Sequence, residues 1–396
     1  MRGYSIDWRG FVLAGLALLG GSLGMAAALA AEPNPAMTRP DRLAWELFAQ
    51  IARPAATAGN NDVLFETWAS DVDTFADVPH WPQAVVGAHK VLINRVQPSG
   101  SKEPGAIPPA RHCEVGHITL CIGKETLRNR PAFDFIVDNG LTTRRGLAAF
   151  FGKTMEFPVD TIEVKAEWLP LSELQAWNGV TPEQAASLYH INQAKVGDDV
   201  VPVALVALHI ITKQVPNWTW ATFEHWKNPG RCDETGCRDV FGAAAPVVAA
   251  HDTPNRGYDK CVPSEALRRL FAAGGVAGVW QNYCLKGTQT DFVTPTGAPT
   301  RLGNSVAETI NAGVPHGRSS CMTCHTEAAF DRNGNPAKAE PQIGAPQPSW
   351  FIGSGSPDDP QYRPADFVWA IPFCAKPHDA ISACIPAGAG TVIAEH

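Results

Sequence analysis

The sequence Val201-Pro-Val-Ala-Leu-Val-Ala-Leu-His-Ile-Ile-Thr-Lys213 indicates the fold class. It is nearly continuous in apolar residues and rich in β-branched ones, which predicts a strand in the middle of a sheet. Thr161–Trp168 (TIEVKAEW) alternates apolar and polar side chains, as a half-buried strand does, and Trp218–Trp226 (WTWATFEHW) is aromatic and favours a strand. Three strands so close along the chain predict an antiparallel sheet in an α+β fold with flanking helices.

Helices are expected where apolar residues recur at helical spacing between capping and breaking residues. They are predicted at Pro40–Ile51, Asn61–Phe75, Thr181–Ile191, Ser264–Ala272 and Ser305–Asn311, and one more strand is predicted at Val276–Tyr283. Val96–Cys121 is rich in Pro and Gly, which predicts a loop or an insertion.

The N-terminus has the three parts of a secretory signal peptide. Arg2 and Arg9 supply positive charge, Phe11–Leu29 is apolar and uncharged, and Ala28-Leu-Ala30 provides a small-x-small cleavage pattern. We therefore expect residues 1–30 to be cleaved and the mature chain to be periplasmic. The alternative is an uncleaved membrane anchor, since the apolar stretch approaches spanning length. No later segment is apolar enough over that length to span a membrane.

Composition and charge restrict the classes of partner. The chain has 396 residues, of which 45% are apolar and 18% charged, as in globular proteins. Its net charge is -7, and it has no basic run or basic aromatic stripe, so the sequence argues against nucleic acid as a partner. A mildly acidic surface suits a small basic partner protein.

The number and spacing of the cysteines are consistent with an exported protein. The chain has ten cysteines, and exported proteins commonly form disulfides. Setting Cys321 and Cys324 aside leaves an even number, whose spacing favours local pairs at Cys113–Cys121, Cys232–Cys237, Cys261–Cys284 and Cys374–Cys384. A zinc site is the alternative, but no second C-x-x-C is present to complete one.

Cys321-Met-Thr-Cys-His325 is a C-x-x-C-H sequence, which predicts covalent attachment of one haem c. Two thiols one helical turn apart can form thioether bonds with the two haem vinyl groups, and the adjacent imidazole then ligates the iron on the proximal side. The alternative, a redox-active or metal-binding C-x-x-C, does not require the adjacent His. The motif therefore predicts Cys321, Cys324 and His325 as the haem-binding residues.

The sequence leaves the sixth iron ligand open. A Met after the motif is common in small electron carriers, but no Met follows Met322. His225 in TFEHW is the first candidate for a distal ligand or distal-pocket residue, and His209 in VALHIIT is the second. The apolar sequence around each histidine is also typical of core histidines that hydrogen-bond to the backbone. An open sixth position, or ligation by Met37, Met155, His316 or His378, is equally compatible with the motif.

Seven segments carry a further signal: FDFIVDNGL (133–141), IEVKAEW (162–168), LHIITK (208–213), WTWATFEHWKN (218–228), GTQ (287–289), LGNSVAE (302–308) and SSCMTCH (319–325). In this order they resemble secreted bacterial proteins of the cytochrome c family. The resemblance covers about residues 130–330 and implies haem c binding through Cys321, Cys324 and His325, with a role in electron transfer.

These features predict a signal peptide at 1–30, an α+β domain at 31–300, and a loop-rich haem c segment at 301–396 packed on that domain. Two main functions stay open. One is a redox protein that exchanges electrons with a partner protein or with a small-molecule donor or acceptor. The other is a haem-dependent oxidoreductase of peroxidase or oxidase type with an open distal site, because an electron carrier alone needs far fewer residues. A haem-based sensor is a third.

Overall fold

An eight-stranded sheet forms the centre of the protein in its computed structural model. Seven strands pair antiparallel, and one short edge strand pairs parallel. This architecture confirms the α+β fold with an antiparallel sheet core. The structure describes residues 34–55, 62–83, 90–91, 114–115, 118–119, 122–196, 199–247, 257–276, 278–311, 314–338, 340, 342–378, 382 and 384.

The sheet has the spatial order β1-β5-β6-β8-β7-β2, with β9 also on β8 and β10 on β9. The pairs β3–β4 and β11–β12 form two small separate sheets. In chain order the strands are β1 (Ala69–Ser70), β2 (Lys90–Val91), β3 (Glu114–Val115), β4 (Ile118–Thr119), β5 (Gly123–Arg128), β6 (Ile162–Pro170), β7 (Ile191–Val196), β8 (Asp199–Thr212), β9 (Thr219–His225), β10 (Tyr283–Gln289), β11 (Ala329–Asp331) and β12 (Tyr362–Pro364).

The described helices are short, and α2 is the longest of them. In chain order they are α1 (Pro35–Thr38), α2 (Pro40–Ile51), α3 (Asp71–Thr74), α4 (Arg130–Asp138), α5 (Arg144–Phe150), α6 (Leu171–Asn178), α7 (Pro182–Leu188), α8 (Glu265–Gly274), α9 (Cys321–Thr326), α10 (Ser349–Ile352) and α11 (Ala370–Cys374). Single turns of 3₁₀-helix occur at Leu64–Thr67, Gly278–Asn282 and His316–Arg318, and a π-helix at Ser305–Asn311.

β8 is the central strand and contains most of the predicted run Val201–Lys213. β6 pairs along one edge of β8, and the other edge is shared by β7 near its start and β9 near its end. A strand with neighbours on both edges and packing on both faces has no solvent side, which explains its nearly continuous apolar sequence. The predicted strands Thr161–Trp168 and Trp218–Trp226 are confirmed as β6 and β9.

One face of the sheet packs against α2 and α8 through aromatic side chains. The ring of Phe223 in β9 lies 4.9 Å from that of Trp45 and 4.6 Å from that of Phe48, both in α2. Phe271 of α8 completes the group, 5.6 Å from Trp45. Aromatic rings bury more apolar surface than other side chains, so this face holds the main core. Pro40 starts α2 as predicted.

The opposite face of the sheet carries polar side chains. Lys165 of β6 lies beside His209 of β8 there, because each alternates with residues that enter the main core, such as Val164 and Ile210. The C-terminal part of the chain covers this face. Nδ2 of Asn304, for example, donates to the hydroxyl of Thr222 in β9 over 3.0 Å.

Side-chain caps explain two helices that agree with prediction. The hydroxyl of Thr181 accepts a hydrogen bond from the N–H of Gln184 over 3.4 Å at the start of α7. The hydroxyl of Ser264 accepts one from the N–H of Leu267 over 3.1 Å at the start of α8. Both caps satisfy N–H groups that have no partner inside the helix.

The segment Asn61–Phe75 is not one helix as predicted. It contains the 3₁₀ turn, β1 and α3 in succession. Ser70 is responsible for the break, because its hydroxyl accepts a hydrogen bond from the N–H of Asp73 over 3.2 Å and so starts a new helix. Pairing of β1 with β5 separates the two helical turns.

The strand predicted at Val276–Tyr283 is also corrected. This segment contains the 3₁₀ turn Gly278–Asn282, and β10 begins only at Tyr283. Tyr283 pairs with His225, the last residue of β9, so the residues before Tyr283 have no strand to pair with.

Some predictions concern residues outside the described ranges. They are the signal peptide at 1–30 and the Cys113–Cys121 pair. Pro35–His396 forms one compact unit, within which the division at residue 300 stays a prediction. Among the described helices, none has the length and apolar character needed to cross a membrane.

Candidate functional site

The C-x-x-C-H motif forms helix α9. The hydroxyl of Ser320 caps this helix by accepting a hydrogen bond from the N–H of Thr323 over 3.3 Å. Residues three apart on a helix lie on the same face, so Cys321 and Cys324 present their side chains together. Both are free thiols. Burial raises the pKa of Cys324 to about 11 and that of Cys321 well above its usual value, so both stay protonated.

The other described cysteines form disulfides. The pairs are Cys232–Cys237, Cys261–Cys284 and Cys374–Cys384, with Cα separations of 5.1, 5.9 and 5.1 Å. These separations lie within the normal range for disulfides, and all three pairs are those predicted from spacing. The motif cysteines are therefore distinguished from the rest of the described set by having no disulfide partner.

Gln289, the last residue of β10, attaches the start of α9 to the sheet. Its Nε2 donates to the hydroxyl of Ser320 over 2.8 Å and to that of Thr300 over 2.7 Å. Its Oε1 accepts a hydrogen bond from the N–H of Met322 over 3.1 Å. One side chain thus fixes both the capping residue and the first turn of the motif helix.

The segment LGNSVAE supports the motif from the other side. The N–H of Cys321 donates to the carbonyl of Leu302, and the N–H of Leu302 donates to that of Ser319, each over 3.1 Å. This short parallel bridge holds residues 302 and 320 side by side. Asn304 then begins the π-helix, since its Oδ1 accepts from the N–H of Val306 over 2.9 Å.

A hydrogen bond at Nδ1 orients the imidazole ring of His325. Nδ1 lies 2.8 Å from the carbonyl oxygen of Phe367. A carbonyl only accepts, so Nδ1 carries the proton and Nε2 keeps a lone pair. Histidines that ligate metals are held in this way by a carbonyl or carboxylate on the other nitrogen. Desolvation lowers the pKa of His325 to about 4, which keeps the imidazole neutral.

Aromatic side chains enclose His325 and the end of α9. The ring of Trp220 in β9 lies 4.7 Å from the imidazole of His325 between centroids. Nε1 of Trp369 donates to the carbonyl of Cys324 over 3.1 Å. Neither Trp369 nor Phe367 was predicted from the sequence, because both lie in the loop-rich C-terminal segment without a motif.

A cavity of about 440 Å³ lies beside the motif and is lined by both thiols and by His325. This volume is within the range of ligand and cofactor sites in proteins. Trp369, Ala370 and Phe373 form part of its wall, and its charged lining residues are Asp71, Lys124, Glu163, Lys165, Glu308 and Arg318. The free thiols, the oriented imidazole and the shared cavity fit a covalently bound haem.

Several lining carboxylates contact basic side chains. Arg128, which is fully buried, contacts Glu163 through Nε over 3.2 Å and Asp71 through a terminal nitrogen. Glu308 lies 3.4 Å from Nε2 of His209. Because burying an unpaired charge is costly, these partners are needed to keep carboxylates in the wall of the cavity.

The structure does not bring the predicted distal residue His225 to the motif. Nε2 of His225 contacts the carbonyl of Leu188 over 3.2 Å, and its ring stacks on Tyr189 with centroids 3.6 Å apart. Trp220, which contacts His325, lies five residues away in the same strand, or about 17 Å at strand spacing. His225 is thus a buried histidine bonded to the backbone.

His209, the second candidate, lies close to the motif. Ligand atoms of His209, Glu308 and Cys321 are all within 4.8 Å of one another. Among the described residues that line the cavity, His325 is the only histidine, and no methionine is present. Met155 is buried in the same apolar cluster as Met322.

Segments that carry the family resemblance meet at α9. Gln289 comes from GTQ, Leu302 from LGNSVAE and Trp220 from WTWATFEHWKN, and each contacts the motif or a residue next to it. The resemblance to cytochrome c family proteins itself stays a prediction. No protein-family description, curated protein or solved structure matches this sequence.

Proposed function

We propose that the chain is a periplasmic c-type cytochrome that binds one haem covalently through Cys321 and Cys324 and transfers electrons. The observation that carries this proposal is the state of His325. Its Nδ1–H is taken by the carbonyl of Phe367, which leaves Nε2 as a lone-pair donor next to two free thiols in one cavity.

The residues of the chain have separate roles in this proposal. Cys321 and Cys324 would hold the haem through two thioether bonds, each formed by adding an S–H group across a vinyl group, which needs no external oxidant. Ser320 and Gln289 hold the motif helix so that the thiols and the imidazole face the same cavity. His325 would supply Nε2 to the iron. When bound, haem c supplies a one-electron iron couple.

The electron partner follows from charge. The chain has a net charge of -7, which favours a basic redox protein through electrostatic steering. A small-molecule donor or acceptor is the alternative partner. The two are separated by ionic strength, because steering between proteins weakens as salt increases, whereas reaction with a neutral small molecule does not.

A haem-dependent oxidoreductase is the second candidate function. The observation that favours it is the set of ionisable side chains that line the cavity together with His325, including Lys165 and Glu308. Such groups can donate or accept protons near a reacting ligand. Spectra of the reduced protein with and without carbon monoxide separate the candidates, because only an open sixth position binds the gas.

Haem staining of a denaturing gel tests the proposal. The protein is matured in a periplasm, and covalent haem is compared between wild type and a Cys321→Ala, Cys324→Ala double variant. Met322→Leu is the matched control, since it changes the same helix without removing a thiol or the imidazole. We expect stained bands for wild type and the control only. A stained band from the double variant, or none from wild type, would refute the proposal.

A further inference from the structure

Asp366 and Phe367 form a strained turn beside the motif. The N–H of Val368 donates to the carbonyl of Ala365 over 3.0 Å, which closes a β-turn around Asp366 and Phe367. Both central residues have positive φ, 46° and 69°. Turns of this kind favour Asn-Gly, because a side chain as large as that of Phe is disfavoured at positive φ.

Buried hydrogen bonds hold Asp366 in this turn. Oδ1 accepts from Nζ of Lys213 over 2.7 Å and from Nε1 of Trp218 over 3.1 Å. Oδ2 accepts from the N–H of Phe157 over 2.8 Å. Asp366 is 8% exposed and Lys213 is 3% exposed, so solvent does not compete strongly for these bonds. They offset the strain of the turn.

Phe367, the second central residue of the turn, supplies the carbonyl group that orients His325. The carbonyl of Phe367 accepts the Nδ1–H of His325, and the direction of that carbonyl is set by the backbone angles of the turn. A strong hydrogen bond at Nδ1 makes the imidazole a better electron donor to iron, which favours the oxidised state. Loosening the turn should therefore raise the reduction potential.

We propose that Asp366 is a positioning residue that sets the reduction potential of the bound haem by holding the Phe367 carbonyl against His325. This inference rests on the proposed function, because it requires iron on Nε2. Strain at functional sites persists only where surrounding contacts enforce it, and here Phe157 and the segment that contains Lys213 and Trp218 do so from two separate parts of the chain.

A direct effect of charge is the competing explanation, and two variants separate it from positioning. Asp366→Asn removes a negative charge and Lys213→Gln removes a positive one. If only charge acts on the iron, the potential rises in the first variant and falls in the second. If Asp366 positions the carbonyl, both variants loosen the turn, and the potential rises in both.

A third variant tests the turn itself. Glycine adopts positive φ without strain, so the double variant Asp366→Asn, Phe367→Gly should keep the carbonyl in place without the carboxylate. We expect its potential to return towards that of wild type. The Phe367→Gly single variant is its matched control, because it reports the loss of the ring alone.

Potentials are measured by voltammetry on the matured protein, and the iron–histidine stretching frequency by resonance Raman spectroscopy. We expect the equilibrium constant for reduction to increase several-fold in Asp366→Asn and in Lys213→Gln, with a lower stretching frequency in both. A fall in potential in Lys213→Gln, or no recovery in the glycine double variant, overturns the role of Asp366 while haem staining stays positive. Wild-type protein without covalent haem overturns the proposed function instead, and this role with it.

Discussion

Glu224 on β9 accepts two hydrogen bonds from Ser305, one from its backbone N–H over 2.9 Å and one from its hydroxyl. The same carboxylate accepts from Nδ2 of Asn228 over 3.2 Å. Glu224 is fully buried and Ser305 is 3% exposed. The carboxylate is thus satisfied largely by the segment that leads to the motif, and it attaches the start of the π-helix to the polar face of the sheet.

Replacing Ser305 by Ala should destabilise the protein. The variant removes the hydroxyl donor and leaves a buried carboxylate oxygen with a weaker set of partners. Hydrogen bonds to charged groups contribute about 1.5–3 kcal/mol, so we expect the free energy of unfolding to fall by about 2 kcal/mol. Urea denaturation measures this. Ser172→Ala, at an exposed position in α6, is the control and should change stability by less than about 0.5 kcal/mol. Equal stability of the two variants would contradict the role of the contact.

Gln289 should be needed both for stability and for haem attachment. Gln289→Leu removes the bonds to Thr300, Ser320 and the N–H of Met322 together, and each group left unpaired in the interior costs about 1–3 kcal/mol. We expect a loss of at least about 2 kcal/mol in unfolding free energy and less covalent haem per protein chain. Both are measured on the same preparation. Gln175→Leu, exposed in α6, is the control. Full haem content in Gln289→Leu would show that α9 positions its thiols without this side chain.

Local sequence patterns predicted the elements whose cause is local. The apolar run in β8, the caps at Thr181 and Ser264, and the three disulfides of short separation all depend on neighbouring residues. The C-x-x-C-H motif is local as well, because one helix turn places its two cysteines on the same face, but the haem that it indicates stays a prediction.

Residues that act through distant contacts were not predictable. Asp366 lies 153 residues from Lys213, and nothing in the Pro- and Gly-rich C-terminal segment distinguishes it. Phe367 contributes a backbone carbonyl, and every residue type has one, so its role cannot be recognised from the sequence. His225 and Trp220 have the same aromatic surroundings in sequence, yet only the sheet register shows that one end of β9 reaches the motif and the other does not.

A buried lysine should make stability depend on pH. Nζ of Lys286 in β10 contacts Nδ1 of His316 just before the motif. Burial lowers the pKa of Lys286 to about 8, and burial together with the charge of Lys286 lowers that of His316 to about 3, so His316 is the neutral acceptor. Above the unfolded pKa of 10.5, Lys286 is neutral in both states. Between pH 10.5 and 8 only the unfolded state takes up the proton, and as pH falls through 8 the folded state takes it up as a buried charge.

Stability relative to a Lys286→Met variant therefore rises with pH between about 8 and 10.5. From the difference between these pKa values, the gain is on the order of 3 kcal/mol. Unfolding free energies of wild type and Lys286→Met are measured at about pH 7, 8.5 and 10, and the difference between the two proteins is compared across these pH values. Lys260→Met, at an exposed position, should show no such trend. A constant difference between wild type and Lys286→Met across this range would mean that Lys286 keeps its proton in the folded state.

Lys165 should control the binding of anions in the cavity. It is a lysine on β6 that lines the cavity together with Cys321, Cys324 and His325. If the sixth position is open, Lys165→Gln should weaken azide binding by roughly three- to tenfold, or on the order of 1 kcal/mol, and leave binding of neutral carbon monoxide unchanged. Lys260→Met removes the same charge from the surface and controls for net charge. Optical titrations at low ionic strength measure both ligands, because salt screens the attraction to azide. Equal losses for azide and carbon monoxide would indicate that Lys165 shapes the cavity, whereas loss of azide binding alone would identify it as the residue that attracts anionic ligands.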